Sequence, residues 1–130
     1  MLRLATLAFI GCTLGTVATA DQYICLAEQA TGFINRDGKW ESTNFKATSK
    51  FLVTHDPDVT LDIAEFGKSP SMYATSQCSS DTYGGECANL FGQFTFVTYT
   101  LRYTRTYVAG FNFDDGAVTP LIEIGSCSKL

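Results

Sequence analysis

Residues 91–107 read FGQFTFVTYTLRYTRTY, and this stretch decides the fold. Phe94 and Phe96 share one phase, while Val97, Tyr99, Leu101, Tyr103 and Tyr107 share the other. Alternation with period two marks a half-buried strand, and aromatic and β-branched side chains suit its pleated surface. A strand cannot change phase without an interruption. The switch near Val97 and Thr98 therefore predicts a turn or bulge there, with strands over 91–97 and 102–113.

The same grammar extends in both directions. Residues 22–27 place Tyr23 and Cys25 on one face and Ile24 and Leu26 on the other. Residues 32–35 are extended and apolar, and Asp37-Gly38 is a strong hairpin signal before the return strand that opens with Trp40. A third apolar run, 51–55, stops at Asp56-Pro57-Asp58, where Pro57 suits a turn because it has no N–H for a ladder. In 59–66, Val59, Leu61 and Ile63 alternate with Thr60, Asp62 and Ala64. Gly67-Lys68-Ser69-Pro70 is a turn, and 72–77 is a further strand candidate. Asp114-Asp115-Gly116 turns the chain into a last strand over 121–124. Helical periodicity is weak; 26–31 and 86–90 each have room for one turn of helix at most. About eight short strands with frequent turn signals predict an all-β domain, a small antiparallel sandwich or barrel.

Composition agrees with one compact domain. The chain has 130 residues, is 45% hydrophobic and 13% aromatic, and is only 17% charged. Disordered chains are poorer in apolar residues and richer in charge. A net charge of −4 argues against a nucleic-acid partner, which needs a basic patch.

Residues 1–20 read as a secretory signal peptide. Arg3 supplies the positive start, 4–10 the apolar segment, and Ala18-Thr19-Ala20 the small-residue cleavage pattern, leaving 21–130 as the mature domain. Gly11, Thr13, Gly15, Thr16 and Thr19 interrupt the apolar character too often for a membrane span. A lipoprotein signal at Gly11-Cys12 fits less well, because Phe9 is bulky at that position. The expected location is the periplasm or the medium.

Five cysteines are present, and Cys12 would leave with the signal. Cys25, Cys78, Cys87 and Cys127 remain, an even number in an exported chain, which reads as disulfides. Of the three possible pairings, Cys78–Cys87 with Cys25–Cys127 is the expected one. The first closes a loop, 79–86, rich in turn formers, and the second ties the first mature strand to the last. On the chain-entropy model they contribute about 2.7 and about 4.7 kcal/mol. Cys-x-x-Cys is absent and His55 is the one histidine, so structural zinc spacing is missing. No cofactor is implied.

Tyr23-Ile24-Cys25, Gly38-Lys39-Trp40-Glu41-Ser42-Thr43-Asn44-Phe45, Leu101-Arg102-Tyr103 leading to Gly110-Phe111, and the closing run from Thr119 to Cys127 resemble a group of small uncharacterised secreted proteins of bacteria and phages. The resemblance implies export and a bacterial or phage origin, and brings no activity with it. The layout alone, with Cys in the first strand and near the end of a compact β fold, is similar to that of the periplasmic inhibitors of C-type lysozyme. No inhibitory loop of that family maps onto this chain, and fold does not imply function.

Candidate site residues follow from side-chain chemistry. Arg102, Tyr103, Arg105 and Tyr107 stand close together in sequence. Arg supplies a fork of donors and Tyr rigid contact area, as in recognition patches. The competing reading is a cation–π contact or ion pair that holds the sheet. The 78–87 loop, stiffened by its disulfide, would complete such a patch. His55 beside Asp56 and Asp58 could serve a small hydrolase, but Asp56-Pro57-Asp58 is also simply a turn, and no Gly-x-Ser-x-Gly or His-Glu-x-x-His occurs. The acidic groups Asp56, Asp58, Asp62, Glu65 and Asn112, Asp114, Asp115 lack EF-hand spacing and read as solvated turns. The sequence thus points to a non-enzymatic binding or inhibitor-like module for an envelope or extracellular partner. The alternatives are a hydrolase and a structural envelope or virion component.

Overall fold

A computed structural model describes residues 20–113 and 118–130. Nearly all of the expected signal peptide and the Asp114-Asp115-Gly116 turn lie outside the described residues. The strands are β1 (Asp21–Arg36), β2 (Lys39–Phe45), β3 (Lys50–Asp56), β4 (Thr60–Glu65), β5 (Cys78–Asp81), β6 (Gly84–Ala88), β7 (Gly92–Val97), β8 (Arg102–Tyr107) and β9 (Leu121–Lys129). A short helix, α1 (Ala109–Phe113), and a 3₁₀ turn, Thr75–Gln77, accompany them.

Eight of these strands, all but β2, form a nearly closed antiparallel barrel. They succeed one another around it in chain order, and β9 returns to pair with β1. The ladder is open between β4 and β5. That seam is closed in two other ways. Met72 N–H donates to the Ile63 carbonyl at 2.7 Å. His55, on β3, directs its Nε2 at the carbonyls of Asp81 (2.7 Å) and Gly84 (3.2 Å) in the β5–β6 hairpin. Two acceptors require that Nε2 carry the proton.

The alternation read from the sequence sorts the side chains. Tyr23, Cys25, Phe51, Val53, Leu61, Ile63, Cys87, Phe94, Phe96 and Tyr103 point inward and form one core. Tyr103 stacks on Phe94 (centroids 4.9 Å apart, planes 1° apart), and Phe51 meets both rings edge-on. Gly125 faces Tyr103 across the β8–β9 ladder. A Cβ at Gly125 would strike the Tyr103 ring and the Leu26 carbonyl, so glycine there lets the ring lie against β9. These ten inward side chains are at most 5% exposed.

Both disulfides form as expected, Cys25–Cys127 across β1–β9 and Cys78–Cys87 across β5–β6. The Asp37-Gly38 hairpin forms too, with positive φ at both residues (52° and 83°), which suits a primed two-residue turn. The turn foreseen after Val97 separates β7 from β8.

Four expectations change. The strand expected over 102–113 ends at Tyr107, and Ala109–Phe113 form the short helix α1. The runs 22–27 and 32–35 belong to one 16-residue strand, β1, with a bulge where the register passes from Ala27 opposite Gly125 to Gln29 opposite Ile124. The bulge shifts the phase by one, so the period of two is broken in 26–31 and the stretch looks helical in sequence. Residues 72–77 are not a strand: they approach from a cis Ser69–Pro70 bond, follow the seam and end in the 3₁₀ turn. Residues 86–90 continue β6 to Ala88 instead of coiling.

Candidate binding face at the barrel mouth

The register defines two poles. β8 ends at Tyr107 opposite Gly92 and Leu121, and Leu121 in turn faces Gly32. This end, here the mouth, carries the outer half of β1, its partner β2, and α1. The far pole carries Asp21, His55, the Asp81–Gly84 turn and Arg102.

The four residues singled out in β8 separate accordingly. Arg102 is exposed at the far pole. Tyr103 is 1% exposed and belongs to the core. Arg105 and Tyr107 are half-buried at the mouth. The tip of the Cys78–Cys87 hairpin lies at the far pole, where Tyr83 and Tyr99 meet edge-on at 6.4 Å. The hairpin tip and Arg105 therefore do not form one surface.

Alternation along β8 turns Tyr103, Arg105 and Tyr107 inward. The guanidinium carbon of Arg105 sits 5.4 Å from the centre of the Phe51 ring. This cation–π contact fixes the side chain on its core side. Glu123, opposite Arg105 in register and 3% exposed, engages other partners. It accepts from Tyr103 Oη at 3.0 Å and from Ser49 Oγ at 2.7 Å. Burial, with the Glu123 carboxylate beside it, holds the Tyr103 hydroxyl protonated far above the usual phenol range. Arg105 takes part in none of the ion pairs among the described residues. Arg105 also lines a cleft of about 230 Å³ together with Met72, Tyr73, Asn89, Phe91, Gly92 and Tyr107. Burial raises the pKa of Tyr73, and Arg105 opposes that shift; at neutral pH its hydroxyl is a donor. Asn89 Oδ1 accepts from the N–H groups of Phe91 (2.9 Å) and Gly92 (3.1 Å), which leaves its NH₂ as its free donor.

Beside the cleft lies an apolar groove of about 460 Å³, lined by Phe33, Trp40, Val108, Phe111, Asn112 and Pro120. Phe33 faces Ser42 in the β1–β2 ladder, so Trp40 is its diagonal neighbour on the same face. Phe111 of α1 meets the Trp40 ring edge-on at 5.7 Å. Phe33 is 50% and Phe111 62% exposed. The groove and the cleft adjoin, since Val108 N–H donates to the Phe91 carbonyl at 3.0 Å. In sequence Trp40, just after the Asp-Gly turn, reads more readily as a packing aromatic than as a rim residue. The contribution of Phe111 came unannounced, because α1 has no helical periodicity to reveal it.

The other candidates have structural occupations. His55 is 4% exposed and serves the seam, while Asp56 accepts from Asp58 N–H at 3.0 Å and shapes its turn. Among the described residues no cluster of three or more His, Cys, Asp or Glu could hold a metal ion, and no helix is long and apolar enough to cross a membrane. Compared with known proteins, the chain matches no family model, no curated protein and no solved structure.

Proposed function

We propose that the protein is an exported, non-enzymatic binding or inhibitor-like module that engages an envelope or extracellular protein through its mouth. The observation that carries this reading is the solvent-facing aromatic groove of Phe33, Trp40 and Phe111. Contiguous exposed apolar surface rimmed by polar groups marks interaction sites, and aromatic side chains dominate binding energy at such sites. The apolar core packed inside the barrel supports the same reading, because it directs recognition to the rim. Two disulfides and the signal-like residues 1–20 support export.

The test is capture by the immobilised, oxidised 21–130 chain from periplasmic and culture-supernatant extracts, read by mass spectrometry. One saturable partner should be held by the wild type and by the far-pole variant Tyr99→Ser, and lost by Phe111→Ser. Equal capture by all three, or no partner for a folded sample, would overturn the reading.

A further inference from the structure

We infer that the Arg105 cleft is a carboxylate site, which receives a carboxylate of the partner bound at the neighbouring groove. The inference rests on the mouth-end reading and specifies its chemistry. Four features of the cleft carry it. Its polar side chains, Arg105, Tyr73, Tyr107 and Asn89, all have donors to offer, and none of its lining residues is acidic. Its guanidinium is held by Phe51 on the core side and takes part in no ion pair among the described residues. A planar fork of N–H donors matches a carboxylate in two parallel bonds. The nearest carboxylate in register, Glu123, is engaged by Tyr103 and Ser49.

The surroundings narrow the ligand. Met72 and Phe91 make part of the wall apolar, and the cleft lies beside the aromatic groove, its Phe91 being joined to Val108 of the groove by a backbone hydrogen bond. A carboxylate next to an apolar group fits this adjacency. A chain α-carboxylate on an apolar residue and an acidic side chain both have this chemistry. The chain's net charge of −4 opposes unspecific collection of anions, so saturable anion binding at the mouth would be a property of the local donors.

The test is NMR titration of the oxidised 21–130 chain with three probes: N-acetylphenylalanine, N-acetylglutamate α-amide and N-acetylphenylalaninamide. The inference expects saturable shifts at the Arg105 Nε–H and the Phe51 ring with a carboxylate probe and none with the neutral amide. The tighter of the two carboxylates identifies the source. Arg105→Gln should weaken binding by roughly ten- to hundredfold, the range for a charge-assisted hydrogen-bonded contact. Tyr73→Phe, which keeps the ring, should weaken it several-fold, and it serves if Arg105→Gln fails to fold. Equal binding of the neutral amide, unchanged affinity in either variant, or shifts confined to other surfaces would overturn the inference. Failure of every carboxylate probe while Phe111-dependent capture persists overturns this inference alone. Carboxylate binding with capture indifferent to Phe111→Ser overturns the mouth-end reading instead.

Discussion

Removing the two disulfides one at a time should separate their energetic roles by size. Cys25–Cys127 joins residues 102 apart, whereas Cys78–Cys87 joins residues 9 apart. Both pairs face each other directly in antiparallel ladders, and β1 and β9 share nine register pairs without help from the bond. The native register therefore survives loss of either link, and the cost falls on the freed unfolded chain. Loop-closure entropy gives about 4.7 kcal/mol for the long link and about 2.7 kcal/mol for the short one. The variants are Cys25→Ala with Cys127→Ala, and Cys78→Ala with Cys87→Ala. At a urea m-value of about 1.5 kcal/mol/M the midpoints should fall by about 3 M and about 1.8 M. The long-link variant should also show the larger m-value, because its unfolded ensemble expands more. Equal losses, or a larger loss for the short link, would refute the argument that these bonds act through the unfolded state.

Other expectations are as direct. His55→Ala removes the donor that closes the β4–β5 seam and should cost about 2–4 kcal/mol in thermal or urea unfolding, with faster amide exchange in β5 and β6; a change below about 0.5 kcal/mol would contradict the clasp. Gly125→Ala should destabilise by about 1–3 kcal/mol, because its methyl group meets the Tyr103 ring and the Leu26 carbonyl. Tyr73 and Tyr103 hold their protons more tightly folded than unfolded. Their stabilisation is complete below the unfolded phenol pKa of about 10 and is lost as pH rises above it, at up to about 1.4 kcal/mol per pH unit for each. Tyr103→Phe should flatten that alkaline slope; an unchanged slope in urea midpoints measured from pH 9 to 11.5 would count against it.

Much of the barrel was legible because period two survives in most strands. The phase switch after Val97, the Asp-Gly hairpin and the alternation of Leu61 and Ile63 each translate into one element. The bulge at Glu28 was hidden, since one extra residue destroys the very period by which strands are read. Closure was hidden as well. Nothing in the spacing of 51–55 states that His55 reaches the β5–β6 turn across a seam without a ladder. For the site, the cluster 102–107 was visible, and its residue chemistry anticipated a contact between Arg and an aromatic ring. Which ring it would be, and that Tyr103 would be core while Arg105 stands at the rim, depends on strand phase relative to a closed barrel. Phe111 and Phe33 are 78 positions apart in sequence, and the hairpin and α1 are what bring them to one groove.

The ends of the domain have a practical meaning. Lys129 Nζ lies 2.9 Å from the Asp21 carboxylate, and Leu130 N–H donates to the Gln22 carbonyl at 2.9 Å. Entry and exit are thus side by side on the pole opposite the mouth. A tether, tag or second domain attached at either end would hang from the same base and leave the aromatic groove facing outward. A short linker from 130 back to 21 would join the ends into a circle, and the chain could then be opened at the turn between β7 and β8 with every ladder intact.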